Sequence, residues 1–202
     1  MLENNVNKIE PAKEIVFIVD RSGSMCGLES DTIGGFNAML KEQQAQPGAA
    51  VITTVLFDKN VTLLHDRIDI HAVAPMTMED YRVGGGTALL DAVGLTIKKL
   101  RKKQKPMAAE YRGKALFFII TDGEENSSKA YTRKKVMDMI THQKENHGWD
   151  FIFMGANVDE INEAGKIGIS ADKAISFIAD AFGMSSTWST ASLLSTNFRK
   201  HY

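Results

Sequence analysis

Cysteine is all but absent from this chain. Cys26 is the only one in 202 residues, which excludes an internal disulfide framework and any cysteine-rich zinc module. Net charge is all but absent too: 24 basic and 25 acidic side chains leave −1, so electrostatics gives no reason to bind nucleic acid or an anionic membrane. No apolar stretch approaches the roughly 18 residues a membrane span needs. The polar start, MLENNVNKIEPAKE, lacks the apolar h-region of a secretory signal. The five histidines (His65, His71, His142, His147 and His201) are scattered, and none pairs at metal-ligand spacing. These absences lead to the expectation of a soluble protein of a reducing compartment, most simply the cytoplasm. What the chain does have is apolar material, 44% hydrophobic and 8% aromatic, enough for a genuine core. At roughly 150 residues per domain, the length favours a single domain over residues 1–202.

The apolar pattern alternates between short continuous runs and longer helical periods. Ile15–Val19 is apolar on both faces, as a central parallel strand requires, and Ala115–Thr121 repeats the signature. Ile33, Phe36 and Leu40 recur at spacings of three and four, which predicts a helix over about 29–46, stopped by Pro47-Gly48. Val51–Phe57 and Val61–Ile70 are separated only by Asp58-Lys59-Asn60. That link is too short for a crossover helix, so the pair is expected as an antiparallel hairpin. Further helices are expected through Leu90, Val93, Ile97 and Leu100, through Val136, Met139 and Ile140, near 159–167, and over Ala181–Arg199. Strands are expected at 149–154 and, weakly, at 173–178. The fold class this implies is α/β: a doubly wound, mostly parallel six-stranded sheet with one antiparallel edge strand and helices on both faces. The basic run Lys98–Lys103 falls at a helix C-terminus, where cations complement the dipole.

Open α/β sheets bind ligands beyond the carboxyl ends of their strands. Polar clusters fall at such ends or beside them. Asp20-Arg21-Ser22-Gly23-Ser24 follows the first strand, and Thr121-Asp122-Gly123-Glu124-Glu125 follows the run at 115–121. Gly84-Gly85-Gly86-Thr87 opens a helix. Carboxylates and hydroxyls are hard oxygen ligands, which suit Mg²⁺ or Mn²⁺ far better than zinc or copper. In an extended turn Asp20, Ser22 and Ser24 can point the same way, and Gly23 lets the chain curl. Each cluster also has a plain structural role open to it. Asp20 and Ser22 can cap the next helix, Thr87 can be the N-cap of its own, and Asp122-Gly123 is an ordinary turn pair.

At these residues the sequence resembles the von Willebrand factor A family. The pattern Asp-x-Ser-x-Ser stands intact as Asp20-Arg21-Ser22-Gly23-Ser24, the lone threonine is matched by Thr87 in Gly-Gly-Gly-Thr-Ala-Leu-Leu-Asp, and the second aspartate by Asp122 in Ile-Ile-Thr-Asp-Gly. The resemblance covers about residues 13–180 and extends to small stand-alone bacterial or phage-type members. It implies a metal-ion-dependent adhesion site with Asp20, Ser22, Ser24, Thr87 and Asp122 around Mg²⁺, with Mn²⁺ or Ca²⁺ also accommodated. Three of those ligands are neutral, leaving Asp20 and Asp122 as the only charges in the shell. If either aspartate acts through water, the ion keeps much of its charge and an open position for a partner protein's Asp or Glu. The implied function is a protein-binding module, not an enzyme.

Two other readings compete for the same residues. A Mg²⁺-dependent hydrolase, phosphatase-like, would use the same site. However, a haloacid-dehalogenase-type phosphatase needs a second carboxylate where Ser22 stands, and a lysine at a later strand end. Glu124 and Glu125 are available as bases, yet acidic pairs after a turn are usually just solvated. A nucleotide site is the weaker option, because the glycine loop lacks the lysine of a phosphate loop. Cys26 can serve as a small inert residue or a redox-sensitive one. The methionines read mostly as core filler.

Overall fold

A computed structural model of the chain describes residues 11–156 and 158–201. The first ten residues, including most of the polar start, lie outside the described residues, as does the final Tyr202. Six strands form one sheet in the order β3-β2-β1-β4-β5-β6. They are β1 (Lys13–Asp20), β2 (Ala50–Phe57), β3 (Val61–Asp69), β4 (Ala115–Thr121), β5 (Asp150–Gly155) and β6 (Ala174–Ser176). Only β2 and β3 pair antiparallel, through the Asp58–Asn60 link; every other neighbouring pair is parallel. The helices are α1 (Glu29–Gln44), α2 (Leu89–Gln104), α3 (Arg133–His147), α4 (Val158–Lys166) and α5 (Ala181–His201). This is the doubly wound, mostly parallel sheet expected from the sequence, with its antiparallel strand at one edge.

Alternation along β1 explains why helices are needed on both sides. Ile15, Phe17 and Val19 point into a core built with Phe36, Met39 and Leu40 of α1 and Met184 and Trp188 of α5. Val16 and Ile18 point the opposite way, onto Leu90, Val93 and Ile97 of α2 and Val136 and Ile140 of α3. All five β1 side chains are 1% exposed or less, so each contributes about 1.5–3 kcal/mol of burial. The α1–α5 contact depends on Gly35. A Cβ there would stand 2.2 Å from Trp188 Cδ1, so only glycine lets the indole lie against the helix.

The boundaries differ from the sequence reading in small ways with local causes. α1 stops at Gln44 and not 46. β3 ends at Asp69, whose carboxylate accepts the amide of His71 and turns the chain into a short 3₁₀ segment. β6 is only three residues long, shorter than the expected 173–178. α5 forms despite its many Ser and Thr residues because several are interior and bonded. Ser192 Oγ donates to Glu42 and accepts from Gln43 Nε2, and the Thr187 hydroxyl donates to the carbonyl of Gly183. Met78 and Met137 are exposed, contrary to the core reading, while Met25, Met39, Met76, Met154 and Met184 are buried.

Candidate metal centre

The strand order reverses direction of growth at β1. From β1 the chain runs outward through β2 and β3, then returns through α2 to β4 on the other side. The carboxyl ends of β1 and β4 therefore open onto one crevice, where such sheets place their ligands. Because Val19 lies level with Ile120, Asp20 ends its strand directly beside Thr121.

Asp20 is fully buried. Its Oδ1 accepts the Ser22 amide at 2.6 Å, which shapes the turn after β1, and its Oδ2 accepts the Thr121 hydroxyl at 2.5 Å. Tyr81 reaches in to donate its phenol to the Asp20 carbonyl. The turn carries Ser22 Oγ to 3.1 Å from Ser24 Oγ, and the Ser24 hydroxyl donates to Asp122 Oδ1 at 2.6 Å. Neither serine caps a helix. Ser22 precedes the 3₁₀ turn Gly23–Met25 without a side-chain cap bond, and α1 follows Leu28, which has none either.

Thr87 arrives through the glycine loop. Gly84 donates its amide to the Arg21 carbonyl and Gly23 donates to the Gly85 carbonyl, which ties this loop to the turn after β1. The structural role considered for Thr87 does not hold, because α2 begins at Leu89 with Ala88 in the capping position. Its first amides are satisfied from elsewhere: Leu90 N by Glu125 Oε2 and Asp91 N by Ser128 Oγ. Glu125 is thus not a merely solvated acid. It also accepts the Ser127 and Ser128 amides and the Ser128 hydroxyl, and so braces the loop after β4 against α2. Asn126 Oδ1 holds the Thr87 amide at 2.9 Å.

Gly123 shows how closely these groups converge. A methyl placed on it would stand 2.9 Å from Ser24 Oγ, 3.0 Å from Thr87 Oγ1 and 3.5 Å from Ser22 Oγ. Three hydroxyls from two distant loops therefore converge on one point, with Asp122 bonded to one of them and Asp20 tied to the same turn through the Ser22 amide. The five residues singled out in the sequence form one cluster.

The electrostatics favours a cation. Burial pushes the Asp20 carboxyl up to about 6, against the lowering effect of the bonds from Thr121 and Ser22, and the neighbouring negative charge of Asp122 raises it further. Burial likewise raises Asp122, partly offset by the Ser24 hydroxyl. Arg21, next to Asp20 in sequence, faces away: its Nε is 3.3 Å from Asp58 and its Nη atoms reach Thr62 and the Asp80 carbonyl. Among the described residues, no three His, Cys, Asp or Glu side chains gather as a metal cluster, so hydroxyl oxygens must complete any donor set here. An all-oxygen set with two carboxylates fits a hard divalent ion.

The sequence reading missed Thr121, Tyr81, Glu125 and Asn126 as the groups that hold this cluster. No local signal marked them: Thr87 stood as the sequence's cap for α2, and the structure instead satisfies the helix's first amides from Glu125 and Ser128.

The chain matches no protein-family model and no curated protein. It is, however, similar to solved structures of one fold. The von Willebrand factor type A protein from Catenulispora acidiphila is 17% identical over 92% of this chain and 43% of that one, with a TM-score of 0.65. The manganese-loaded TRAP protein of Plasmodium vivax is 16% identical over 93% of this chain and 73% of that one, TM-score 0.66. Proximal thread matrix protein 1 from the mussel byssus, with a zinc-occupied metal-ion-dependent adhesion site, is 14% identical over 93% and 48%, TM-score 0.61. This chain spans less than half the length of the first and the last. The fold is that of a von Willebrand factor A domain. Two of these neighbours carry a divalent metal.

Proposed function

We propose that this protein is a metal-dependent protein-binding module. Asp20, Ser22, Ser24, Thr87 and Asp122 hold a divalent cation, Mg²⁺ or Mn²⁺ with Ca²⁺ also accommodated, and an Asp or Glu of a partner protein completes its coordination. The observation that carries this reading is the convergence of three neutral hydroxyls around one point, with only two carboxylates nearby. Where one of the two aspartates acts through a bridging water, such a shell leaves a divalent ion much of its charge, so when bound the ion supplies an electrophilic position that attracts an outside carboxylate. The residues divide the work. Ser22, Ser24 and Thr87 present oxygens without charge. Asp122 supplies charge at the rim, where it is half-buried. Asp20, with both oxygens already hydrogen-bonded, supplies charge at the base of the turn and orders it.

The competing hydrolase reading lacks support from the surroundings. A hydrolytic site needs a poised base and an anion clamp around the reacting group. Glu125 is occupied as a brace, Glu124 is exposed, and Arg21 faces Asp58. Among the described residues no helix is long and apolar enough to cross a membrane, and Cys26 is unpaired. Action in the cytoplasm, as a small bacterial or phage-type member of this fold class, belongs to the proposal.

The test is a pull-down from the native cell with and without chelator, using wild type and Asp122→Ala, alongside a phosphatase and peptidase screen. Partner capture lost on chelation and in the variant supports the module. Turnover that disappears in Asp122→Ala supports the hydrolase, and capture indifferent to chelator contradicts the bridging mechanism.

A further inference from the structure

Beside the cluster lies a concavity of about 570 Å³ lined by Lys59, Asn60, Asn126, Ser127, Ser128 and Lys129. It adjoins the metal centre through the glycine loop. A Cβ on Gly86 would meet Ser127 Oγ at 2.2 Å and Asn126 Oδ1 at 2.7 Å, and Thr87 is the next residue along. The Lys59 stem lies along Gly85, its Cγ 3.5 Å from where a Cβ would stand.

The lining is unbalanced in one direction. None of its six residues is acidic, and the carbonyl oxygen of Asn126 is already occupied. Asn126 Oδ1 takes the Thr87 amide and the Ser127 hydroxyl. Three carboxylates around it are engaged: Glu125 braces α2, Asp91 accepts the amides of Lys129, Ala130 and Tyr131, and Asp58 takes Asn60 and Arg21. On the donor side, Lys59 and Lys129 are exposed, and neither ammonium is in an ion pair among the described residues. The concavity offers two unpaired cations and no acidic side chain in its lining, a cradle for a negatively charged group.

We propose that the partner segment is di-acidic: one carboxylate reaches the metal, and a second, two residues along, sits between Lys59 and Lys129. This rests on the proposed metal-bridged binding and specifies its partner. The spacing comes from chain geometry. The concavity begins one residue from Thr87, an extended peptide advances about 3.3–3.6 Å per residue, and its side chains alternate faces, so a second acid two residues from the first points the same way and reaches toward the cradle. The metal selects for a carboxylate, and the lysine cradle selects among such segments by the charge of the neighbouring residues. Exposed lysines add modestly to affinity and are screened by salt, so the cradle sets preference while the metal sets whether binding occurs.

The experiment titrates two synthetic peptides into the isotope-labelled protein at saturating Mg²⁺ and low salt, with dissociation constants from amide shifts. One peptide carries a single aspartate in a Gly-Ser background, and the other carries two aspartates separated by one residue. The di-acidic peptide should bind about three- to tenfold tighter. In the double variant Lys59→Gln, Lys129→Gln that advantage should vanish, with the mono-acidic peptide binding as before. Equal binding of the two peptides to wild type, or an advantage that survives in the double variant, overturns the cradle and leaves the metal bridge standing. If neither peptide responds to Mg²⁺, the metal bridge itself is refuted, and the cradle with it.

Discussion

Replacing Asp20 by asparagine separates what this carboxylate does for the fold from what it does for an ion. In the metal-free protein the folded-state value is about 6 against an ordinary 3.8, with burial as the largest cause. The native state therefore holds this proton more tightly than the unfolded chain. The stability linked to it is fully present below about pH 4 and lost as pH rises through about 6. A shift of roughly two units corresponds to about 3 kcal/mol. Asparagine resembles the protonated acid: it is neutral at every pH and nearly isosteric. Its oxygen can still accept the Ser22 amide. Its amide can donate to Thr121 Oγ1, whose hydroxyl is free to turn to the Gly123 carbonyl 3.1 Å away. Asp20→Asn should thus stabilise the metal-free protein at pH 7 by up to about 3 kcal/mol, or roughly 6–12 °C for a chain of this size. It should leave stability at pH 4 unchanged and abolish stabilisation by Mg²⁺ or Mn²⁺. The assay is thermal unfolding from pH 4 to 8 with chelator and with excess metal. The wild-type minus variant difference isolates this carboxylate from other titrating groups. A metal-free variant less stable than wild type at pH 7, or a difference that does not change between pH 4 and 7, would refute the reasoning.

Other residues yield independent tests. Gly123→Ala puts a methyl among the three hydroxyls and should weaken metal binding at least tenfold by calorimetry, while overpacking costs about 1–3 kcal/mol in urea unfolding. Asp122→Ala removes a half-buried carboxylate at a strand end and should eliminate metal-dependent association with less than about 1 kcal/mol lost from the fold, checked by calorimetry and denaturation. Glu125→Ala strips the acceptor from three amides and a hydroxyl, so it should cost about 2–4 kcal/mol and speed hydrogen exchange at Leu90, Ser127 and Ser128. Gly35→Ala drives a methyl into Trp188 and should destabilise by about 2 kcal/mol or more, with a change in indole fluorescence and no direct effect on the metal centre.

The central fold features were legible because they depend on local pattern. An unbroken apolar run such as Val16–Val19 has few uses other than a strand covered on both faces, and a three-residue link such as Asp58–Asn60 forces an antiparallel neighbour. β6 left only a weak trace, the strand expected at 173–178, since its three residues hold only the edge of β5. α5 read ambiguously for a related reason. Its propensity is weakened by Ser and Thr, and what settles the helix is tertiary: Trp188 against Gly35, Ser192 against Gln43 and Glu42, and Arg199 donating to the carbonyls of Gln43, Gln46, Pro47 and Gly48. Within the site, the oxygen-bearing residues stood out because Asp20, Ser22 and Ser24 share one short turn and Asp122 ends a recognisable strand. Their supports did not stand out. Thr121 matters through its register with Asp20, and Glu125 through amides of a helix more than thirty residues earlier. Such partnerships are created by the sheet and have no local signature.

Crystals grown with Mn²⁺ and measured at a wavelength that reports its anomalous scattering would test the metal centre most directly. The expected result is one strong peak among Ser22 Oγ, Ser24 Oγ and Thr87 Oγ1, near the place of the missing Gly123 side chain. Its direct oxygen contacts should lie at roughly 2.0–2.6 Å, with one coordination position filled from outside the chain. A peak elsewhere on the molecule, or none at millimolar Mn²⁺ and neutral pH, would contradict it.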